Sequence, residues 1–482
     1  MTRRRILLFL VLLLSISGCT LGPDYTRPPV PQHPAYRAQN PPGRSIADLE
    51  WWKIFNDPIL VRLIDTALTN NLDLRVSMAR IEEAQAQLGV ARANLYPNVF
   101  YGATTDHTAQ TKLKDSSVTS GFLNIGYIVD LWGQVRRANE AALHQLLASE
   151  DAYQTVTIAL VGQVARAYFQ LCSIEKRLRI SERTVETRRK SLEIVKTRYE
   201  AGMVSEVDFQ QARIQLTNAE TSVVNFRLAK AQTENAISLL LGSPPISIPH
   251  GRAFDVQRLP AKVPAGLPSE LVERRPDVRR AEQLLAAQTA RIGVAEAARF
   301  PSLTLSAHLG GNLTNTVDVA FATIGASLLG PLFDAGKSKQ QVAVEVARTK
   351  QLLAQYKQSI LSAFREVEDA LAAVQYNKAK YKILQRQVAA AQAATDLAWT
   401  RYQEGMTSFL EVLDIERSLF SSELAAADAQ EQYVAAIVQL YTALGGGWNP
   451  KRGLATTPTA DQSPPETTGR KKSHGPFYNV YD

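Results

Sequence analysis

Side chains able to do chemistry are scarce in this chain and lie far apart. The six histidines stand singly at positions 33, 107, 144, 250, 308 and 474, outside any HExxH pattern, and GxSxG, a Walker loop and GxGxxG are all absent from the sequence. Cys19 and Cys172 are the only cysteines, so no disulfide framework and no thiolate metal-site spacing is available. Cys172, in Tyr168-Phe169-Gln170-Leu171-Cys172, reads as a small buried hydrophobe. What remains is an acidic step. In Thr407-Ser408-Phe409-Leu410-Glu411-Val412-Leu413-Asp414, three-residue spacing puts Glu411 and Asp414 on one helix face. On spacing alone this is a solvated face, since helical Glu and Asp are mostly exposed. No catalysis, metal or cofactor is expected.

The segment that carries the acidic step is the second of two copies. Arg198-Tyr199, Gly202-Met203 and Ser205 return as Arg401-Tyr402, Gly405-Met406 and Ser408, and Gly89-Val90-Ala91 with Tyr96-Pro97 returns as Gly293-Val294-Ala295 with Phe300-Pro301. An enzyme rarely needs its scaffold twice, whereas a tube wall does. Gln134 to Ala201 holds one glycine, Gly162, and no proline, and Lys337 to Glu404 holds neither, so each can be a helix of about 100 Å. In the second, Val346, Leu353, Ile360, Val367, Val374, Tyr381 and Val388 recur every seventh residue beside Phe364 and Leu371, the spacing of a left-handed coiled coil. Gly202 and Gly405 supply the left-handed residue that ends each long helix, and Ser205 and Ser408 can cap the helices over 204–241 and 406–444. Ile59 to Tyr96 and Asp277 to Phe300 read as shorter helices, each stopped by a proline.

Between the short and the long helix, both copies carry strand signals. Ser302 to Leu309 alternates polar and apolar without error, Val319 to Leu328 follows, and the first copy offers Val99 to Thr105 and then Phe122 to Val129. Such segments have about the 9 to 11 residues that cross an outer membrane, with a soluble hairpin packed on the helices as the alternative. Four strands cannot close a barrel, since single-chain barrels begin at about 8 and an open edge in lipid leaves backbone groups unsatisfied. The strands must therefore come from several chains.

The N-terminus adds an address. Arg3-Arg4-Arg5 and the apolar run Ile6 to Leu14 read as an export signal, too short to span a bilayer. Ile16-Ser17-Gly18-Cys19 resembles the lipobox of bacterial lipoproteins, which implies that Cys19 is acylated, palmitate included, and becomes the mature N-terminus; Thr20 in place of Asp favours the outer membrane. Beyond the signal no long uninterrupted apolar segment occurs, and a net charge of +8 spread along 482 residues does not suggest nucleic acid.

The ordered set of Cys19, the Tyr-Pro and Phe-Pro strand entries, the exits Asp130-Leu131-Trp132-Gly133 and Phe333-Asp334-Ala335-Gly336, and the doubled Arg-Tyr-x-x-Gly-Met-x-Ser turn resembles the TolC-like outer-membrane efflux proteins, in their NodT-type lipoprotein branch, over roughly residues 19–450. The fold so implied is mainly α with a small transmembrane β part. Its duplicated unit of strands and long coiled-coil hairpins forms a trimeric, roughly 12-stranded β-barrel continued by a periplasmic α-helical barrel. Residues 1–18 are then the lipoprotein signal peptide, 19–57 an extended proline-rich strap, and 58–242 the first repeat, with strands about 98–109 and 119–131 and its tip about 201–206. A proline-rich linker covers 243–270, the second repeat 271–447 with strands about 302–311 and 319–332 and its tip about 404–409, and a disordered tail 448–482.

By the same resemblance the chain is the exit duct of a tripartite efflux system. It is a homotrimer in outer-membrane lipid that docks on a periplasmic adaptor and an inner-membrane pump of the resistance-nodulation-division type, and it passes small molecules such as drugs. An exit duct for type I polypeptide secretion would share the architecture, and a periplasmic coiled-coil scaffold lipoprotein would need the helices without the strands. Glu411 and Asp414 occupy the positions of paired acidic gate residues, which threefold symmetry would turn into rings that favour cations. Tyr402 and Asp208 match positions whose hydrogen bond latches the closed tip; seam packing is the alternative for Tyr402, and Thr407, where some members place arginine, implies a different latch. The tips Gly202, Met203, Ser205, Gly405, Met406 and Ser408 are the expected adaptor contacts.

Overall fold

The structure, a computed structural model, describes residues 20–29, 36–37, 51–108, 116–249, 268–314 and 318–446. Cys19 and the signal peptide, most of the linker and the C-terminal tail lie outside the described residues. After a 3-10 turn at Trp51–Phe55 come α1 (Pro58–Asn70), α2 (Leu72–Ala93), β1 (Asn98–Thr108), β2 (Ser116–Val129), α3 (Gln134–Glu200) and α4 (Glu206–Leu240). The order then repeats as α5 (Pro268–Arg274), α6 (Pro276–Ala297), β3 (Ser302–Thr314), β4 (Val319–Leu329), α7 (Lys337–Gln403) and α8 (Phe409–Ala443).

The two long helices, α3 and α7, have 67 residues each and the two return helices, α4 and α8, 35 each. Both long helices start after a left-handed glycine, Gly133 (φ 77°) or Gly336 (φ 85°). Both end in a Schellman turn, with Met203 N–H donating to the Arg198 carbonyl and Met406 N–H to that of Arg401, each at 2.8 Å. No residue of the seven-residue line from Val346 to Val388 is exposed. Continued by the same step the line reaches Thr395 and Tyr402, both buried, so Tyr402 does lie in the packing seam. Cys172 is a buried free thiol, pushed up to about 12 by burial.

One short helix is not continuous. The helix expected over 59–96 breaks at Asn71, whose backbone is extended and whose side-chain oxygen accepts the N–H of Asp73 at 2.9 Å and of Leu74 at 3.2 Å. Its Nδ2 donates to the Leu240 carbonyl at 2.9 Å, so the break fastens the start of α2 to the end of α4. Asp57 opens α1 in the same way and also accepts the Tyr168 hydroxyl at 2.7 Å. It sits in the large core where Trp51 stacks on Tyr441 at 5.2 Å.

The four strands form one antiparallel sheet in the order β1-β2-β3-β4. β2 stops at Val129 rather than 131, because Leu131 N–H turns back to the Val129 carbonyl at 2.8 Å. β4 stops at Leu329, ahead of Pro331, which has no ladder donor to give. The register sorts the side chains by face. Val99, Ile125, Ala307 and Ile324 lie side by side, as do Tyr101, Leu123, Leu309 and Ala322, while the opposite face carries Asn98, Gly126, Ser306 and Gly325, and then Phe100, Asn124, His308 and Thr323. At these levels one face is apolar and the other mostly polar or glycine, and apolar side chains such as Tyr101 and Ile324 stand exposed at the two edges. Among the described residues no helix is long and apolar enough to cross a membrane.

Candidate functional site: the hairpin tips

The two tips share a backbone but not a fastening. At the first, Ser205 accepts the Asp208 N–H at 3.2 Å, while the Asp208 carboxylate accepts the Ser205 N–H at 3.2 Å and its hydroxyl at 2.8 Å. This is a closed capping box. At the second, Ser408 holds the cap position with extended backbone but makes no side-chain cap bond, contrary to expectation. The residue that would close the box, Glu411, accepts the Thr407 hydroxyl instead.

Glu411 and Asp414 are exposed on the face away from Val412 and Leu413, which are buried with Val195, Ala398, Tyr402 and Phe409 in a small tip core. The shared carboxylate face read from spacing is therefore present. Its charge is reduced by Arg417, which pairs with Asp414. Sequence reasoning missed Arg417, although an arginine three residues after an aspartate on one helix was a usable signal.

Tyr402 and Asp208 are not joined within the chain. Asp208 is occupied by Ser205, and the buried Tyr402 hydroxyl has no hydrogen-bond partner among the described residues. The Tyr402 ring is held by Phe409 at 5.4 Å, by Trp399 at 5.8 Å and by the Arg198 guanidinium over its face at 4.4 Å.

Above the tips, a buried polar knot absent from the sequence reading ties the hairpins together. Arg188 of α3 donates to the Gln215 carbonyl of α4 at 2.6 Å and lies over the Phe420 ring of α8 at 5.1 Å. Glu416 of α8 accepts Trp399 Nε1 of α7 at 2.8 Å. Burial pushes the Glu416 carboxyl up, opposed by the Trp399 bond and the Arg188 charge. The usable signal was two charged residues falling on inward positions of otherwise amphipathic helices. Farther from the tips, the same two helices are joined by Arg183 to Glu423, and by Arg177 to Glu431 at 3.1 Å.

The tips present paired apolar side chains to solvent, Met203 with Met406 and Val207 with Leu410. At the other end of the long helices, Leu21 N–H donates to the Trp132 carbonyl at 3.1 Å and the buried Arg137 reaches the Leu21 carbonyl at 3.2 Å, the Gly22 carbonyl at 3.3 Å and Asp24 at 2.5 Å. Gly22 lies directly against Gly293 of α6, and Thr20 against Gly133. The strap therefore begins at the junction of β2 and α3.

A family model for the outer membrane efflux protein matches residues 63–243 and 267–446, one span for each repeat. The chain belongs to the outer membrane efflux protein family. Among its relatives is the toluene efflux pump outer membrane protein TtgC of Pseudomonas putida, 35% identical over 475 residues that cover 93% of this chain and 97% of the relative. Another is the cation efflux system protein CusC of Escherichia coli, 34% identical over 449 residues, 90% of this chain and 97% of the relative. The solved outer-membrane channel OprN superposes with a TM-score of 0.82 at 31% identity, covering 89% of this chain and all of that one.

Proposed function

We propose that the chain is the exit duct of a tripartite efflux system, a homotrimer whose sheets close one outer-membrane barrel and whose hairpins form a periplasmic tunnel. The observation that carries this reading is the sheet. Apolar residues such as Val99, Ile125, Ala307 and Ile324 fall in register on one face across all four strands, and among the described residues both edges are bare, the condition of a wall segment completed by copies of itself. A scaffold lipoprotein needs no such face. Relatives are named for toluene and for cations, so the cargo follows the pump and not this chain. Its partners are a periplasmic adaptor, met by the exposed methionines of the tips, and an inner-membrane pump of the resistance-nodulation-division type. Cys19 carries the lipid, and Thr20, the residue after it, lies against Gly133.

In the closed assembly Glu411 and Asp414 ring the axis and set cation preference. The partnerless Tyr402 hydroxyl is then free to donate to Asp208 when the tips are drawn together. Single channels in planar bilayers test this. The native protein should show low conductance and cation preference, and Glu411→Ala with Asp414→Ala should reduce that preference; unchanged selectivity removes the ring. Tyr402→Phe with Asp208→Ala should raise conductance, and a channel as closed as the native one removes the latch.

A further inference from the structure

On the face of the sheet that carries Asn98, Asn124, Ser306 and Thr323, one level is built differently. Gly102 pairs with Phe122, Phe122 with Gly310 and Gly310 with Phe321, so across the four strands this level reads Gly-Phe-Gly-Phe. Both phenylalanines come from the second strand of a repeat and both glycines from the first. Small and large side chains alternate in this way on the inner faces of closed barrels.

The backbone does not require these glycines. Neither has a positive φ, and glycine weakens a strand interior. What they provide is room. A Cβ at Gly102 would stand 2.6 Å from Phe122 Cζ, and one at Gly310 would stand 2.7 Å from Phe321 Cζ. Each ring therefore lies along the sheet, its far end over the glycine of the neighbouring strand. Phe122 and Phe321 are each 37% exposed, while Phe100, on the same face but opposite Asn124, is 60% exposed.

We infer that this level sets the bore of the barrel: Gly102 and Gly310 keep the phenyl rings against the wall, and a side chain in place of Gly102 would stand the Phe122 ring into the lumen. This rests on the barrel proposed above, with its polar face inward, and adds which residues keep the passage wide. Three copies would carry six such rings, so passage of bulky cargo depends on two positions that have no side chain. A ring laid over a glycine also shields and stabilises the strand beneath it. If that were its whole role, filling Gly102 would change stability and leave passage as it is.

The test uses the full chain in the outer membrane of intact cells, with maleimide-polyethylene glycol reagents of increasing size added outside and the native chain as the blank. Ser306 lies on the same face as Gly310 and closer to the helix end of β3, so a reagent must pass the rings to reach it. Ser306→Cys should be labelled, and Ala307→Cys, on the other face, should not. Adding Gly102→Val to Ser306→Cys should slow labelling several-fold, most for the largest reagents, and adding Phe122→Ala as well should restore it. Gly102→Ala acts in the same direction and keeps the test open where valine hampers folding. Gly310 is left alone, because its Cβ would also meet the Gly121 carbonyl oxygen at 2.7 Å. Unchanged labelling in both Gly102 variants, or slowing that Phe122→Ala fails to relieve, would overturn the inference while the barrel stands. Ser306→Cys unlabelled by every reagent, or Ala307→Cys labelled as fast, would overturn both.

Discussion

The first hairpin and the second are the same length to the residue, yet their ends are fastened by different means. The first closes with a capping box and spends its acidic residue, Asp208, on its own helix start. The second leaves Ser408 idle, packs its turn with Tyr402, Phe409, Val412 and Leu413, and keeps Glu411 and Asp414 on an outward face. Polar capping holds one tip and apolar packing the other. Duplication therefore preserved the backbone while the second copy kept both carboxylates exposed on its return helix. The seams differ in the same sense. The knot of Arg188 and Glu416 has no twin, since the equivalent positions are Ala391 and Arg213.

The sharpest way to break this contrast is to remove the aromatic residue at each tip. Phe409→Ala should destabilise the second tip by about 3 to 5 kcal/mol, and Phe209→Ala, at a half-buried position stacked on Tyr199, should cost the first clearly less. Hydrogen exchange over residues 198–212 and 401–415 reads both, and equal losses would erase the contrast. A second test concerns the long helices, because the buried carboxylate Asp151 of the first has Ala354 as its equivalent in the second. Burial raises Asp151 from its ordinary 3.8 to about 6, with Arg279 at 3.1 Å pulling it down and Glu150 and Glu282 pushing it up. The folded state thus holds the proton more tightly than the unfolded chain. The destabilisation is absent below 3.8, grows as pH rises, and is complete above about 6, reaching on the order of 3 kcal/mol. Asp151→Asn should raise thermal stability at pH 7 and flatten its decline between pH 4 and 6; a lower melting temperature at pH 7 would count against this. The smallest effect separates the caps. Ser205→Ala should cost about 1 kcal/mol and Ser408→Ala close to nothing, read as local exchange rates at the two helix starts.

Much of this was legible in the sequence, because it depends on local patterns. The seven-residue line through Ile360 and Val367, the Gly-Met-x-Ser turns and the alternation in Ser302 to Leu309 each need only a chain and its nearest turn or pleat. Asn71 shows where that stops. Its preference for a cap over a helix interior is intrinsic, but the Leu240 carbonyl that completes its bonding comes from 169 residues away. Ser408 is the converse, a good capping residue that makes no side-chain cap bond, while the Glu411 carboxylate accepts the Thr407 hydroxyl instead of reaching back to the cap.

By itself the sequence determined the inventory: two hairpins of equal length, four strands with alternating faces and an acidic step on the second copy. Periodicity and glycine conformations are properties of a few neighbouring residues, so they survive without a fold. Only the tertiary structure decided which helix meets which. That choice put Arg188 over the Phe420 ring, left Tyr402 without a hydrogen-bond partner among the described residues, and set Val99, Ile125, Ala307 and Ile324 side by side on one face of the sheet. Pairing across more than 200 residues depends on complementary packing summed over whole helices, which no local window of sequence contains.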